Sequence, residues 1–217
     1  MNSEFIEFLV RTGALKFGEF TLKSGRKSPY FVNTGVISSG ADLSMLAGFF
    51  AAKIKEVDPT VKTIFGPAYK GIPLAVATSI SLAEKYRVQT NWLFNRKEIK
   101  THGDAGAFVG KLPEKEKEVI LVDDVFTTGG TKYEAVNLLS AMGIKISYMV
   151  VGVDRQEKGK EGNAVEEFVE ETGVPVHVIA NISDAFEYLH GRKIGGKVAV
   201  DDKLYAAFKK YRDEYGA

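Results

Sequence analysis

The chain has 217 residues, 45% of them hydrophobic, and its 29 basic and 28 acidic side chains leave a formal net charge of +1. That is enough apolar sequence for a core without covalent staples, and the charge balance argues against a general nucleic-acid binder, which carries a basic excess. The absence of cysteine excludes disulfides, thiolate chemistry and cysteine-ligated zinc or iron–sulfur sites.

The N-terminal MNSEFIEFLV carries an early glutamate and no basic region before its apolar residues, unlike a signal peptide. No apolar run approaches the ~20 residues of a membrane span, so a cytoplasmic protein without membrane association is expected. Asn2 to Arg11 reads as a short helix, with Phe5, Phe8 and Leu9 at helical spacing. FGEFTLKSGRKSPYFVNTG alternates aromatics and is broken by Ser-Gly and Ser-Pro, which predicts a small hairpin or hood within residues 1–37. Asp42 to Val57 is a helix pattern, VKTIFG a short strand, and a further helix starts at about Ile72 with Pro73 in its first turn. VQTNWLF is a strand, NRKEIKTHGDAGAFVG a polar stretch without period, EVILVDD a buried strand and Gly130 to Met142 a helix. KISYMVVGVDR and PVHVIAN are strands flanking a helical GNAVEEFVEETG. SDAFEYLHG is a helix with Ser183 as its expected cap, and Asp201 to Tyr215 is an amphipathic helix. Apolar strands alternating with helices predict a mostly parallel α/β sheet covered on both faces. Its ligands are expected beyond the carboxyl ends of the strands.

The stretch VILVDDVFTTGGTKYEAV, Val119 to Val136, lies at such an end. The segment from Thr127 through Thr128, Gly129 and Gly130 to Thr131 enters a helix, where unpaired N–H groups and the dipole favour an anion. Glycines allow close backbone approach and threonines add donors, which makes a phosphate cradle. It is not the usual nucleotide loop, since no Gly-Lys-Ser/Thr ends it. Asp123 and Asp124 would repel a phosphate, so they are read as facing something else. Vicinal sugar hydroxyls fit, because an ionised carboxylate only accepts hydrogen bonds, and a nearby Mg2+ would offset the repulsion. The stretch thus suggests a ribose 5-phosphate site, against the plainer reading of a capped turn with solvated aspartates. His177, alternating with valines, is expected in the core or on a sheet face, and neither it nor His190 is read as a metal ligand.

This stretch resembles the phosphoribosyl pyrophosphate (PRPP) motif of type I phosphoribosyltransferases. FTLKSGRKSPYF, GPAYKGIPLA, NRKEIKTHGDAG and VDRQEKG resemble, in the same order, segments of the orotate phosphoribosyltransferase family. The resemblance implies a Rossmann-like core with an N-terminal hood, in one domain over residues 1–217. It implies transfer of the phosphoribosyl group of PRPP to orotate, in pyrimidine biosynthesis, with Mg2+ held mainly by substrate oxygens and no dedicated protein metal site. A homodimer is implied, in which a lid over residues 97–108 closes on the neighbouring subunit's site.

The residue roles follow from the same resemblance. Asp123 and Asp124 contact the ribose hydroxyls, and the backbone of Val125, Phe126, Thr127, Thr128, Gly129, Gly130 and Thr131 holds the 5-phosphate. TTGGT departs from the TAGT pattern of some members, which keeps the backbone donors and touches only individual hydroxyls. Tyr69, Lys70 and Gly71 form the pyrophosphate loop, Gly71 supplying flexibility. Arg96, Lys97, Lys100 and His102 are the lid's basic residues, Lys100 having the largest catalytic effect, and Asp104 matches an acidic lid position. Lys23 contacts both substrates. Tyr30 and Phe31 flank orotate with Thr127, and Arg155 grips its carboxylate through paired hydrogen bonds. Read without the resemblance, Lys70 is an ordinary surface lysine, the aromatic pair core, and Arg155 a surface ion pair. A purine-directed phosphoribosyltransferase and a non-catalytic PRPP-binding regulator are the alternatives. Arg155 and the Tyr30-Phe31 pair argue against the first and the basic lid against the second.

Overall fold

In a computed structural model of the chain, residues 1–22, 25–60, 62–98, 106–114 and 117–217 are described. Helix α1 (Ser3–Arg11) opens on Asn2, whose side chain accepts the Phe5 N–H. Strands β1 (Leu15–Thr21) and β2 (Lys27–Val32) form the expected antiparallel hairpin. A single 3-10 turn (Thr34–Val36) then leads to α2 (Gly40–Val57), capped by Ser39. The chain continues through β3 (Thr63–Phe65), α3 (Gly71–Tyr86), β4 (Asn91–Asn95), β5 (Phe108–Gly110), β6 (Glu118–Phe126), α4 (Gly130–Ser140) and β7 (Lys145–Asp154). It ends through α5 (Ala164–Thr172), β8 (Val176–Asn181), α6 (Ile182–Leu189), a small hairpin β9 (Lys193–Ile194) and β10 (Lys197–Val198), and α7 (Asp202–Tyr215).

Six strands make one sheet in the order β5-β4-β3-β6-β7-β8, parallel except for β5 at the edge. Alternation along β6 and β7 builds two cores. Ile120, Val122, Tyr148 and Val150 face one cluster with α1, α2, α3, α6, α7 and the hairpin. Val119, Leu121, Met149 and Val151 face the other, with α4 and α5. Each fully buried aliphatic or aromatic side chain contributes about 1.5–3 kcal/mol over its exposed state, which is why β6 and β7 read as near-continuous apolar runs.

Two local expectations are revised and one hairpin is added. Ser183 is not the cap of α6: the helix starts one residue earlier, at Ile182, and the Ser183 N–H donates instead to Gln156 Oε1 at 3.1 Å. The stretch expected to be aperiodic contains β5, too short to show a period and held by its ladder with β4. The β9–β10 hairpin turns on Gly195 and Gly196, both at positive φ, a Gly-Gly turn signal that stands in the sequence. No helix among the described residues is long and apolar enough to cross a membrane.

Candidate active site

Strand β6 carries Asp123 and Asp124 to the carboxyl edge of the sheet, and the strand's alternation gives them different partners. Asp123 Oδ2 lies 2.5 Å from Lys132 Nζ, and its Oδ1 accepts the Asp124 N–H at 2.9 Å. The Lys132 ammonium also donates to the Val125 carbonyl at 2.7 Å and to Thr131 Oγ1 at 3.2 Å, so one buried lysine ties the loop together. Burial pushes the Asp123 carboxyl above its usual range, and the adjacent Lys132 charge opposes that push. Asp124 Oδ2 instead accepts from Thr34 Oγ1 at 2.7 Å and lies 3.2 Å from Lys70 Nζ. Lys70 reaches Asn33 Oδ1 as well, at 3.1 Å. The end of the hood, the turn before α3 and the end of β6 therefore converge on one carboxylate.

Beyond β6 the chain turns at Gly129, which has φ 80° and no side chain to cap α4. A Cβ there would sit 3.0 Å from the Phe126 ring. Thr128, Gly130 and Thr131 are exposed, and the first amides of α4 receive no side-chain cap, the condition for an anion site. Phe126 belongs to this loop by its backbone alone: its ring is fully buried against Phe168.

Helix α3 also starts without a side-chain cap, at Lys70. The loop before it holds a cis peptide at Ala68–Tyr69, and the Ala68 N–H donates to Asn95 Oδ1 at the end of β4, at 2.9 Å. Gly71 is not a flexible link. It is buried as the first residue of α3, and a Cβ on it would meet the Gly66 carbonyl carbon at 2.7 Å. The two glycines fold the loop by close backbone approach. Tyr69 is exposed, with Lys97 Nζ 5.5 Å from its ring, and the Arg96 N–H bonds the Ala107 carbonyl at 2.7 Å. Lys23, Lys100, His102 and Asp104 lie outside the described residues.

The two residues of the aromatic pair are placed apart. Successive residues of β2 point to opposite faces. Tyr30 is fully buried among Phe186, Phe208 and Tyr211, while Phe31 is exposed and stacks on Phe20. Tyr30 thus belongs to the core rather than to an open aromatic wall, because β2 needs its inward residues to seal the hood on α7. Its hydroxyl has no hydrogen-bond partner among the described residues.

Arg155 follows β7 directly, its N–H bonded to the Phe126 carbonyl at 3.1 Å, on the same rim as the aspartates. It is no surface ion pair. It is 5% exposed, its Nε and Nη2 converge on Glu157 Oε1 at 2.7 and 2.6 Å, and its guanidinium carbon lies 4.6 Å from the Tyr30 ring centroid.

Sequence reasoning missed Lys132, Asn33, Thr34 and Glu157. For Lys132 a signal existed: the buried face of α4 is Lys132, Ala135 and Leu139, at helical spacing. Nothing comparable marks the others.

A profile of the phosphoribosyl transferase domain family matches residues 40–181. The orotate phosphoribosyltransferase of Colwellia psychrerythraea is 43% identical over 217 residues, covering 98% of this chain and 97% of that protein. The chain belongs to the orotate phosphoribosyltransferases. The Lachnoclostridium phytofermentans orotate phosphoribosyltransferase is 42% identical over 99% of this chain. The crystal structure of the Francisella tularensis orotate phosphoribosyltransferase, 40% identical, superposes with a TM-score of 0.82 over 99% of this chain and all of that one. As an orotate phosphoribosyltransferase the chain is an enzyme of pyrimidine biosynthesis, joining orotate to the phosphoribosyl group of PRPP and releasing pyrophosphate. The purine-directed and non-catalytic alternatives are set aside.

Proposed function

We propose that catalysis takes place on the rim formed by the Asp123–Thr131 loop, the Tyr69–Gly71 loop and Arg155, in a homodimer whose lid over residues 97–108 completes the neighbouring site. The observation that carries this reading is the convergence of Thr34 and Lys70 on Asp124, beside Lys132 on Asp123, at the mouth of an uncapped helix. The ribose hydroxyls meet the carboxylates of Asp123 and Asp124, the α4 loop amides bind the 5-phosphate, and the uncapped start of α3 with Lys70 receives the pyrophosphate. Orotate lies against Phe31, Lys23 and the Thr127 turn, its carboxylate on Arg155.

Among the described residues no group of three or more acidic or histidine side chains is poised to hold a metal ion, but Asp123 and Asp124 are oxygen donors of the kind Mg2+ accepts alongside substrate oxygens and water. Magnesium, when bound with PRPP, supplies charge neutralisation at the departing pyrophosphate. The ribose carbon–oxygen bond loosens first and the base nitrogen attacks from the opposite face, so the protein groups position the reactants and neutralise charge. The lid excludes water from the ribosyl cation, with Lys100 over the pyrophosphate. Arg96, Lys97 and His102 add charge there.

Steady-state kinetics and mixed dimers test this. Lys100→Ala should lower kcat far more than it weakens orotate binding. A verified mixed dimer of Lys100→Ala with Asp123→Asn/Asp124→Asn should regain part of the activity, because one site is then whole. No recovery would reject the shared site.

A further inference from the structure

We propose that Glu157 is a positioning residue for base recognition: it sets the Arg155 guanidinium so that one edge is presented to the carboxylate of orotate, and through Tyr211 it makes α7 part of that selection. This rests on the reading of Arg155 as the carboxylate's partner.

Glu157 is 1% exposed and joins three separate parts of the chain. Its Oε1 takes Nε and Nη2 of Arg155 and the Tyr211 hydroxyl at 2.8 Å. Its Oε2 takes Arg26 Nη2 at 2.6 Å. A guanidinium has five N–H donors in a rigid fork. Glu157 engages the side edge, Nε with Nη2, and the Tyr30 ring lies against the planar face. Tyr211 Oη stands 3.4 Å from Nη2. With the Nε side and one face fixed, rotation of the fork is blocked, so Glu157 and the Tyr30 ring set the plane in which the guanidinium can meet a planar carboxylate.

A buried ion pair by itself is weak stabilisation, so Glu157 is better explained by where it holds the fork. Uracil, which lacks the carboxylate, leaves the fork unmatched. Sites built around a polar group reject the analogue without it more strongly than apolar pockets reject a missing methylene.

The test compares Glu157→Gln, Tyr211→Phe and Arg155→Gln by steady-state kinetics, with uracil as competitive inhibitor. Glu157→Gln should raise the orotate KM by about tenfold, with kcat, the PRPP KM and the uracil inhibition constant near wild type. Tyr211→Phe keeps the ion pair and should raise the orotate KM about two- to threefold, which decides the matter if Glu157→Gln fails to fold. Glu157→Asp, which keeps the charge, should fall between Glu157→Gln and wild type. Unchanged orotate KM in the folded variants, or parallel changes in kcat and both KM values, would overturn the proposal. An unchanged orotate KM in Arg155→Gln would sink the Arg155 reading itself. A raised KM there with none in the other variants would sink only the role of Glu157.

Discussion

Lys132 shows how far a single residue departs from its type. Lysine is rarely buried unless paired, and here it is 6% exposed with three oxygen partners inside a loop of nine residues. Removing one member of a buried pair leaves the other uncompensated, at a cost of about 3–5 kcal/mol. Lys132→Met should therefore lower stability by about that amount in denaturant titrations, and should raise the PRPP KM as the loop loses its tie. Lys132→Arg should recover part of both. His177 supplies the pH counterpart. Burial first, then the nearby Lys53 charge, with Glu56 opposing, hold its pKa below the ordinary 6.5. Because the unfolded chain then binds the proton more readily, this contribution is intact above the ordinary value and is lost as pH falls through the depressed one. Thermal unfolding between about pH 7.5 and 5.5 should show a smaller loss of Tm for His177→Gln than for the wild type.

At the scale of elements, the site depends on how closely β6 and β7 approach. Gly152 on β7 stands where a Cβ would be 2.7 Å from the Asp124 carbonyl oxygen, a separation that forces backbone to move. Gly152→Ala should displace the end of β6 and reduce kcat/KM for PRPP by about tenfold or more, while far-ultraviolet circular dichroism keeps its helix and strand content. The sequence shows a run of apolar residues interrupted by a glycine in that strand, and no period reveals which neighbour it must admit. The long elements were legible because period and composition agree: α2, α3, β6, β7 and α7 fall within a few residues of expectation. The short ones were not, because β5 and β9–β10 take their form from a partner strand or a paired-glycine turn rather than from their own pattern. The aspartates, the glycine–threonine loop and Arg155 could be read from motifs. Thr34 and Asn33 could not, since they reach the site through contacts distant in sequence; Glu157 sits two residues from Arg155, but no motif signals that it is buried against it. The inward position of Tyr30 follows from β-strand alternation, which a motif comparison does not show.

For the whole molecule, the hood is continuous with the core, since Leu15, Tyr30 and Val32 share one apolar cluster with α2, α6 and α7. The same continuity brings the last residues of the chain against the loop that carries Arg155. Lys158 N–H bonds the Tyr215 carbonyl at 2.9 Å, Ala217 N–H bonds the Gln156 carbonyl at 3.0 Å, and Arg212 Nη1 donates to that carbonyl at 3.1 Å. During synthesis this loop leaves the ribosome well before its fasteners, since Tyr211 follows Arg155 by 56 residues. The nascent chain can assemble the central strands and their phosphate loop as they emerge, but the arginine fork acquires its hydroxyl neighbour, and its loop its backbone partners, only when residues 211 to 217 arrive. Formation of the Arg155 end of the rim is thereby timed to follow that of the Asp123–Thr131 loop.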